Sequence, residues 1–212
     1  MPNLSRHLLN LGTAIFIAGF LPVAPAMAAG EAGHPDWPCV QRRVPVISAA
    51  TMWSEPPIKD ETSNDWRNDR DMSALVRKLA LRRVSLDEAS KLIEAFAAPL
   101  SEAERLNKLP LVFQGLLHMV NRERAAIIDG IERFTRKQRT LADDVRKSRT
   151  ELESAIAGAK DSAEREAAQQ KLDWQTRIHK ERERSLEYVC ESPTLLEQRV
   201  FALARELQYQ LP

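Results

Sequence analysis

The residues of this chain best suited to covalent chemistry are its two cysteines, Cys39 and Cys190. An even cysteine count favours pairing when the protein works in an oxidising compartment. Closing a loop of about 150 residues would stabilise the fold by about 4–5 kcal/mol in the chain-entropy description. We therefore predict a disulfide between Cys39 and Cys190, with two buried free thiols and an intermolecular bond as the alternatives.

Metal ligation or acid–base catalysis would need histidines, thiols and carboxylates that converge, and the sequence offers only sparse pairings. His179 and Glu183 are one helical turn apart, and His34 with Asp36 forms a loose group near Cys39. Metal sites normally need three or four such ligands. The chain also lacks a Cys-x-x-Cys motif, a phosphate-binding loop and a Gly-x-Ser-x-Gly motif. We expect no metal, no cofactor and no enzymatic activity.

The first 28 residues have the pattern of a secretory signal. Arg6 and His7 form a short polar region, 8–20 is mostly apolar, and 26–28 reads Ala-Met-Ala, a small-residue cleavage site. The apolar run is shorter than the ~20 residues that a membrane-spanning helix needs. We predict cleavage before Ala29 and a periplasmic protein that has no membrane span after processing.

The charge balance bears on the class of partner. The chain has 31 Lys and Arg residues against 30 Asp and Glu residues, and the predicted signal carries one Arg and no acid. The processed chain is therefore neutral. Nucleic acids and anionic membranes attract a net basic surface, so we expect a protein partner and no nucleic acid.

The segment 29–68 contains proline repeatedly and shows no helical period. It also carries three tryptophans, and disordered linkers rarely do so, since these rings gain much from burial. We predict an extended strap over a helical surface, with Trp37 and Trp53 as anchors and Cys39 as its covalent attachment. A partly disordered leader is the alternative.

Helical periodicity begins after the strap. Apolar spacing predicts helices over 70–83 and 86–98, and Ser85 with Glu88 forms a capping box for the second. Ser101 with Glu104 is a further capping box, which predicts a short helix ending before Pro110.

From Pro110 onward an alternating spacing of four and three residues is typical of a coiled coil. Ten of thirteen positions in this series are apolar: Phe113, Leu117, Val120, Arg124, Ile127, Ile131, Phe134, Gln138, Leu141, Val145, Ser148, Leu152 and Ala155. The phase continues through Asp129-Gly130, a dipeptide common in turns. We predict one helix over 110–157, with a turn at Gly130 as the alternative.

A turn near 158–161 predicts that the chain then folds back. The return helix, 162–190, has an apolar stripe at Ala163, Ala167, Trp174, Ile178, Leu186 and Val189. A last helix over 193–210 would start at Pro193, since proline suits the first helical position.

Together these elements predict an all-α fold. It comprises a small helical body (69–128 and 193–212), a projecting antiparallel coiled-coil arm (129–192) and the extended N-terminal segment. The two descending helices together match the length of the ascending one at ~1.5 Å per residue, so the hairpin closes.

A neutral, exported protein with a helical arm suggests contacts with other proteins. The first hypothesis is a periplasmic adaptor or assembly factor that presents the hairpin to a partner in the cell envelope, or dimerises through it. The candidate interface residues are Ile131, Phe134, Leu141, Val145, Trp174 and Ile178. The alternative for most of them is that they only hold the two arm helices together. A holdase-type envelope chaperone is the second hypothesis, and a thiol or metal-handling accessory protein is the third.

Overall fold

The computed structural model describes residues 34–54, 56–58 and 64–212. The predicted signal segment, 1–28, lies outside the described residues, as do 29–33 of the strap. Within the described part the fold is all-α, as predicted, and contains no strand. Its helices are α1 (Arg70–Ala80), α2 (Leu86–Ala97), α3 (Glu102–Ala157) and α4 (Ser162–Tyr209), with 3-10 turns at Ala49–Thr51 and Asp65–Arg67.

The two short helices start at side-chain caps. The Asp69 carboxylate accepts hydrogen bonds from the backbone N–H groups of Asp71 and Met72, and Ser85 Oγ accepts one from Glu88 N–H. Each cap satisfies donors that a helix start otherwise leaves open. The helices form a pair in which α1 packs mainly against α3, and α2 against α4.

The long helix α3 begins at the predicted capping box of Ser101 and Glu104. The prediction of a separate short helix ending before Pro110 was wrong, because α3 runs through Pro110 without a break. Proline removes one helical hydrogen bond, here to the carbonyl of half-exposed Leu106, which water can reach. Burial of Leu109 and Val112 on either side favours continuation. The prediction that the helix continues through Gly130 is confirmed.

The last two predicted helices are also one, and the prediction that a new helix starts at Pro193 was wrong. Pro193 lies buried inside α4, and its carbonyl accepts a hydrogen bond from Arg124 Nε at 3.3 Å. Burial of Leu196 and Val200 just beyond it holds the helix in register against α3. Tertiary packing thus outweighs the hydrogen bond that proline removes.

The core lies at one end of the molecule, where all four helices meet. It contains α1 and α2, the first third of α3, the last third of α4, and strap residues. The largest fully buried side chains there are Phe113, Leu79, Ile93, Leu109, Leu116, Leu196, Leu203 and Leu207.

Beyond the core, α3 and α4 continue as an antiparallel pair. The turn between them includes Ala159 at a positive φ of 51°, and Asp161 caps α4 by accepting from Glu164 N–H. Glu151 forms an ion pair with Lys171, and Ser148 Oγ donates to Gln175 Oε1. Since α3 is 56 residues long, it spans about 84 Å.

Candidate interaction surface

The strap is tied to the hairpin where the arm leaves the core. The predicted disulfide is present: Cys39 and Cys190 are bonded, and their Cα atoms are 5.6 Å apart. Beside it, Gln41 Nε2 donates to the Cys190 carbonyl at 2.8 Å, and Trp37 Nε1 donates to the Gln41 carbonyl at 2.7 Å. Trp37 is only partly buried. Its hydrogen bond joins two residues of the strap, so it orders the strap locally and does not anchor it in the core.

Arg124 joins three segments beneath the strap. Its guanidinium is buried, and it donates to the carbonyls of Val44 and Pro193 and forms an ion pair with Glu197 at 3.5 Å. Burial lowers the pKa of this guanidinium, and Glu197 opposes the shift. The sequence places Arg124 at a coiled-coil core position, and here it secures strap, α3 and α4 together.

Two further polar contacts hold the strap along α3. The Asn121 amide pairs with the backbone of Ile47, accepting from its N–H and donating to its carbonyl, each at 2.9 Å. Arg43 Nε reaches Glu132 at 2.5 Å. Strap backbone groups that would otherwise be buried without partners are satisfied in this way.

The described N-terminal end of the strap lies on the arm itself. Asp36 accepts hydrogen bonds from Arg136 at 2.7 Å and from Arg139 at 2.6 Å. These two guanidinium groups hold the pKa of the Asp36 carboxyl below its ordinary value. Arg139 also donates to the Pro35 carbonyl.

The tryptophans of the strap are not equivalent. Trp53, a predicted anchor, is buried and stacks on Phe113 with ring centroids 4.8 Å apart. Trp66, which the sequence analysis did not single out, is a deeper anchor and packs against the backbone of Gly115. A Cβ at Gly115 would lie 2.7 Å from the Trp66 ring, so only glycine permits this approach. The sequence does carry a sign of this close approach, because a glycine inside a helical pattern often marks a packing contact.

The seam between the arm helices is unusually polar. Gln138 and Ser148 are buried on α3, and they contact the His179 carbonyl and the Gln175 side chain of α4. All thirteen α3 positions predicted from the heptad pattern are buried or partly buried. On α4 the predicted stripe was wrong in part, because Ala163, Ala167, Trp174 and Val189 are exposed. Polar residues one position later, Gln175 and His179, occupy the seam instead.

The two faces of the hairpin differ. Residues one position after the seam, such as Glu132 and Arg139 on α3 and Cys190 on α4, face the strap. One residue turns a helix by 100°, so residues one position before the seam lie on the opposite face. An antiparallel pair has a two-fold axis between its helices, and these preceding residues therefore line one shared groove.

We call this the open groove, and on its α4 side aromatic and apolar side chains alternate with polar ones. On α4, Trp174 is 56% exposed and Tyr188 is 74% exposed. Partly buried Ile178 and half-exposed Leu195 belong to the same series, which runs 174, 178, 181, 185, 188, 192, 195 with the spacing of a coiled coil. On α3, seam residues Phe134 and Leu141 are only partly buried, and the positions that precede the seam are polar: Arg133, Lys137, Thr140 and Asp144.

In the body, the continuation of this groove is filled by the short helices. Glu206, one position before buried Leu207, accepts from Ser90 of α2 at 2.7 Å. Arg199, one position before buried Val200, donates to the carbonyls of Leu79 and Leu81 at the end of α1. Helices α1 and α2 thus occupy the lower stretch, and from Leu195 to the arm tip no residue that the structure describes covers the groove.

The six predicted interface residues separate into three environments. Ile131 is fully buried, so it packs within the chain and cannot contact a partner. Phe134, Leu141, Val145 and Ile178 are partly buried. Trp174 is exposed, and Tyr188 and Leu195 join it as residues that the prediction missed. Their four-and-three spacing was readable from the sequence, but no apolar partner stripe pointed to it.

The described part of the chain also bears on metal binding. Among residues 34–54, 56–58 and 64–212, no three His, Cys, Asp or Glu side chains converge as a metal site would require. His118 lies near the Trp66 ring, and burial lowers its pKa, with the charges of Arg67 and Arg122 adding to the effect. Both cysteines are engaged in the disulfide.

Comparisons of the chain with protein-family models, with curated proteins and with solved structures find no significant match. Within the part of the chain that the structure describes, no helix is both long and apolar enough to cross a membrane.

Proposed function

We propose that this protein is a periplasmic adaptor or assembly factor that presents its helical hairpin to a protein partner of the cell envelope. The observation that carries the proposal is that two aromatic side chains of the arm, Trp174 and Tyr188, are exposed on a face that no described residue covers. Large aromatic side chains cost free energy when they stay in water, and exposed aromatic residues of this kind are typical of interaction sites.

The build of the arm supports a binding role. Its seam residues Gln138, Ser148 and Gln175 are polar, and buried polar groups of this kind fix register at some cost in stability. The disulfide and Arg124 secure the base of the arm to the strap. A rigid rod with a defined register is suited to holding a partner at a fixed distance from the body.

The proposed location rests on the signal pattern in 1–28 and on the Cys39–Cys190 disulfide, which is the bond expected in an oxidising compartment. Cell fractionation checks it. The protein should be released with periplasmic contents, with an N-terminus at Ala29. Retention of the full-length chain in the cytoplasm would refute the location.

In vivo photo-cross-linking tests the function. The full chain would carry a photoreactive phenylalanine at Glu153 or Trp174 on the arm, or at Tyr209 on the body as a control, in the organism that encodes it. We expect one dominant adduct with a defined envelope protein from the arm positions, and none from the control. Many heterogeneous adducts would instead favour a holdase chaperone, and the absence of any adduct would refute both.

A further inference from the structure

We propose that the open groove is the docking site for an amphipathic α-helix of another protein, with acidic residues beside its apolar stripe. This inference deepens the proposed adaptor function and rests on it. It names the surface used and the chemistry of the partner segment.

The occupant should be a helix because helices already fill the same groove lower down. Positions one before the seam contact α1 and α2 through Arg199 and Glu206, and Arg82 of the α1–α2 turn reaches Glu123 of α3 at 3.9 Å. The groove then continues upward with unchanged periodicity. The free stretch is therefore an extension of an established helix-packing interface, not an isolated patch.

The length of the free stretch sets the length of the occupant. From Trp174 to Leu195 the groove measures about 32 Å, which corresponds to roughly three heptads of helix. Its lower limit is the α1–α2 turn, where Leu81 and Leu86 are themselves half-exposed. A docked helix would stack end-on against this turn and complete a three-helix arrangement along the arm.

Residue sizes along the groove suit knobs from a third helix. The hydrogen bonds from Gln138 to the His179 carbonyl and from Ser148 to Gln175 give the register of α3 against α4. In this register Leu141 lies level with Ile178. Phe134 lies level with the turn around Ser185 by the same register. Small Ser185 and Ser192 alternate with large Ile178, Tyr188 and Leu195, so the α4 wall has recesses between its ridges.

Charge decides the chemistry of the partner. Exposed Arg177 and Arg184 flank the groove on α4, and exposed Arg133 and Lys137 lie on its α3 side near the level of Arg184. Two acidic residues, Glu181 and Asp144, lie along the same groove, so basic side chains are in excess. An occupant with Glu or Asp on both sides of its apolar stripe would find complementary charge on both rims, which favours specificity and fast association.

A second copy of this chain fits less well. Its own groove carries the same basic rims, and two such rims would repel each other. Self-association through this face is therefore an outcome that the test must be able to detect.

The test uses two fluorescein-labelled helical peptides of three heptads, with identical Leu and Ile core positions and either Glu or Lys at every flanking position. Anisotropy is measured with the full processed protein, at peptide concentrations below self-association. We expect the Glu peptide to bind at least about tenfold more tightly than the Lys peptide, and this preference to shrink as salt rises. Equal binding of both peptides, or of neither, would overturn the proposal.

Variants locate the binding. The double change Trp174→Ala with Tyr188→Ala should weaken the Glu peptide by about tenfold or more, since exposed aromatic residues dominate such interfaces. Val40→Ala and Tyr209→Ala remove equally exposed apolar side chains elsewhere and should leave affinity unchanged. Equal losses in the controls would overturn the assignment, as would a dimer in sedimentation that the double change dissolves.

The same double variant separates this inference from the adaptor function. Glu153 follows seam residue Leu152 and so lies outside the open groove, where it reports a partner that extends beyond the docked helix. If the envelope adduct from Glu153 persists in the double variant and the Glu peptide does not bind the unmodified protein, the adaptor function stands and the groove assignment fails. Loss of the adduct in the double variant supports both.

Discussion

At the scale of single residues, two positions of α3 make contacts that depend on the residue type found there. Gly115 lets the Trp66 ring rest on the backbone of α3, and Arg124 supplies donors to carbonyls of two other segments. Neither role follows from propensity. The sequence shows a glycine inside a helical pattern and an arginine at a coiled-coil core position, but their partners are distant in the chain.

The glycine pair of α3 gives a matched prediction. Gly115→Ala should destabilise the protein by about 1–3 kcal/mol, since the new Cβ would overlap a buried indole ring. Gly130→Ala should be neutral or stabilising by up to about 1 kcal/mol, because alanine favours helix and the nearest atom belongs to flexible Arg133 at 3.9 Å. Chemical denaturation of both variants checks this. Similar effects at the two sites would contradict the packing of Trp66.

Asp36 gives a prediction for pH. Arg136 and Arg139 lower the pKa of its carboxyl from the ordinary value of 3.8. The contact is therefore complete above pH 3.8 and is lost as pH falls through the lowered pKa. The NMR signal of the Trp37 indole N–H should stay constant from pH 8 to 5 and shift in stronger acid. Asp36→Asn should show the shifted signal already at pH 7; an unchanged signal would refute the contact.

At the scale of elements, the sequence predicted the fold class, both early helices, the heptad helix and the disulfide, since each depends on local period or on residue count. It failed at Pro110 and Pro193, where proline signals an end but buried neighbours hold the helix together. It also chose Trp174 over Gln175 for the seam. Hydrophobicity alone cannot separate a stripe that packs within the chain from one left uncovered.

The disulfide gives the prediction at this scale. Cys39→Ser and Cys190→Ser should each lower stability by a similar amount, at most about 4–5 kcal/mol for so long a loop. The double variant should lose no more than either single one, since the bond is already absent. Thermal unfolding under non-reducing conditions measures all three. Additive losses would mean that the two cysteines are not paired.

At the scale of the whole molecule, the positions of the strap and the core determine which face of the arm is left open. The core holds four helices in place, and the strap covers one face of the lower arm with Cys39, Arg43 and Asp36. Above α1 and α2, none of the described segments covers the opposite face. What could be predicted of the candidate site was its position on the arm; which face is open depends on the path of the strap, which carries no periodicity.

The binding role of the arm depends on α3 and α4 forming one continuous antiparallel rod rooted in the core. Double electron–electron resonance between nitroxides on unnatural residues at Glu153, Glu166 and Tyr209 tests it directly, with the native disulfide intact. We expect about 20–30 Å for the 153–166 pair across the hairpin and roughly 65 Å for the 166–209 pair along unbroken α4. A 153–166 distance beyond about 40 Å, or a 166–209 distance below about 50 Å from a chain folded back at Pro193, would contradict it.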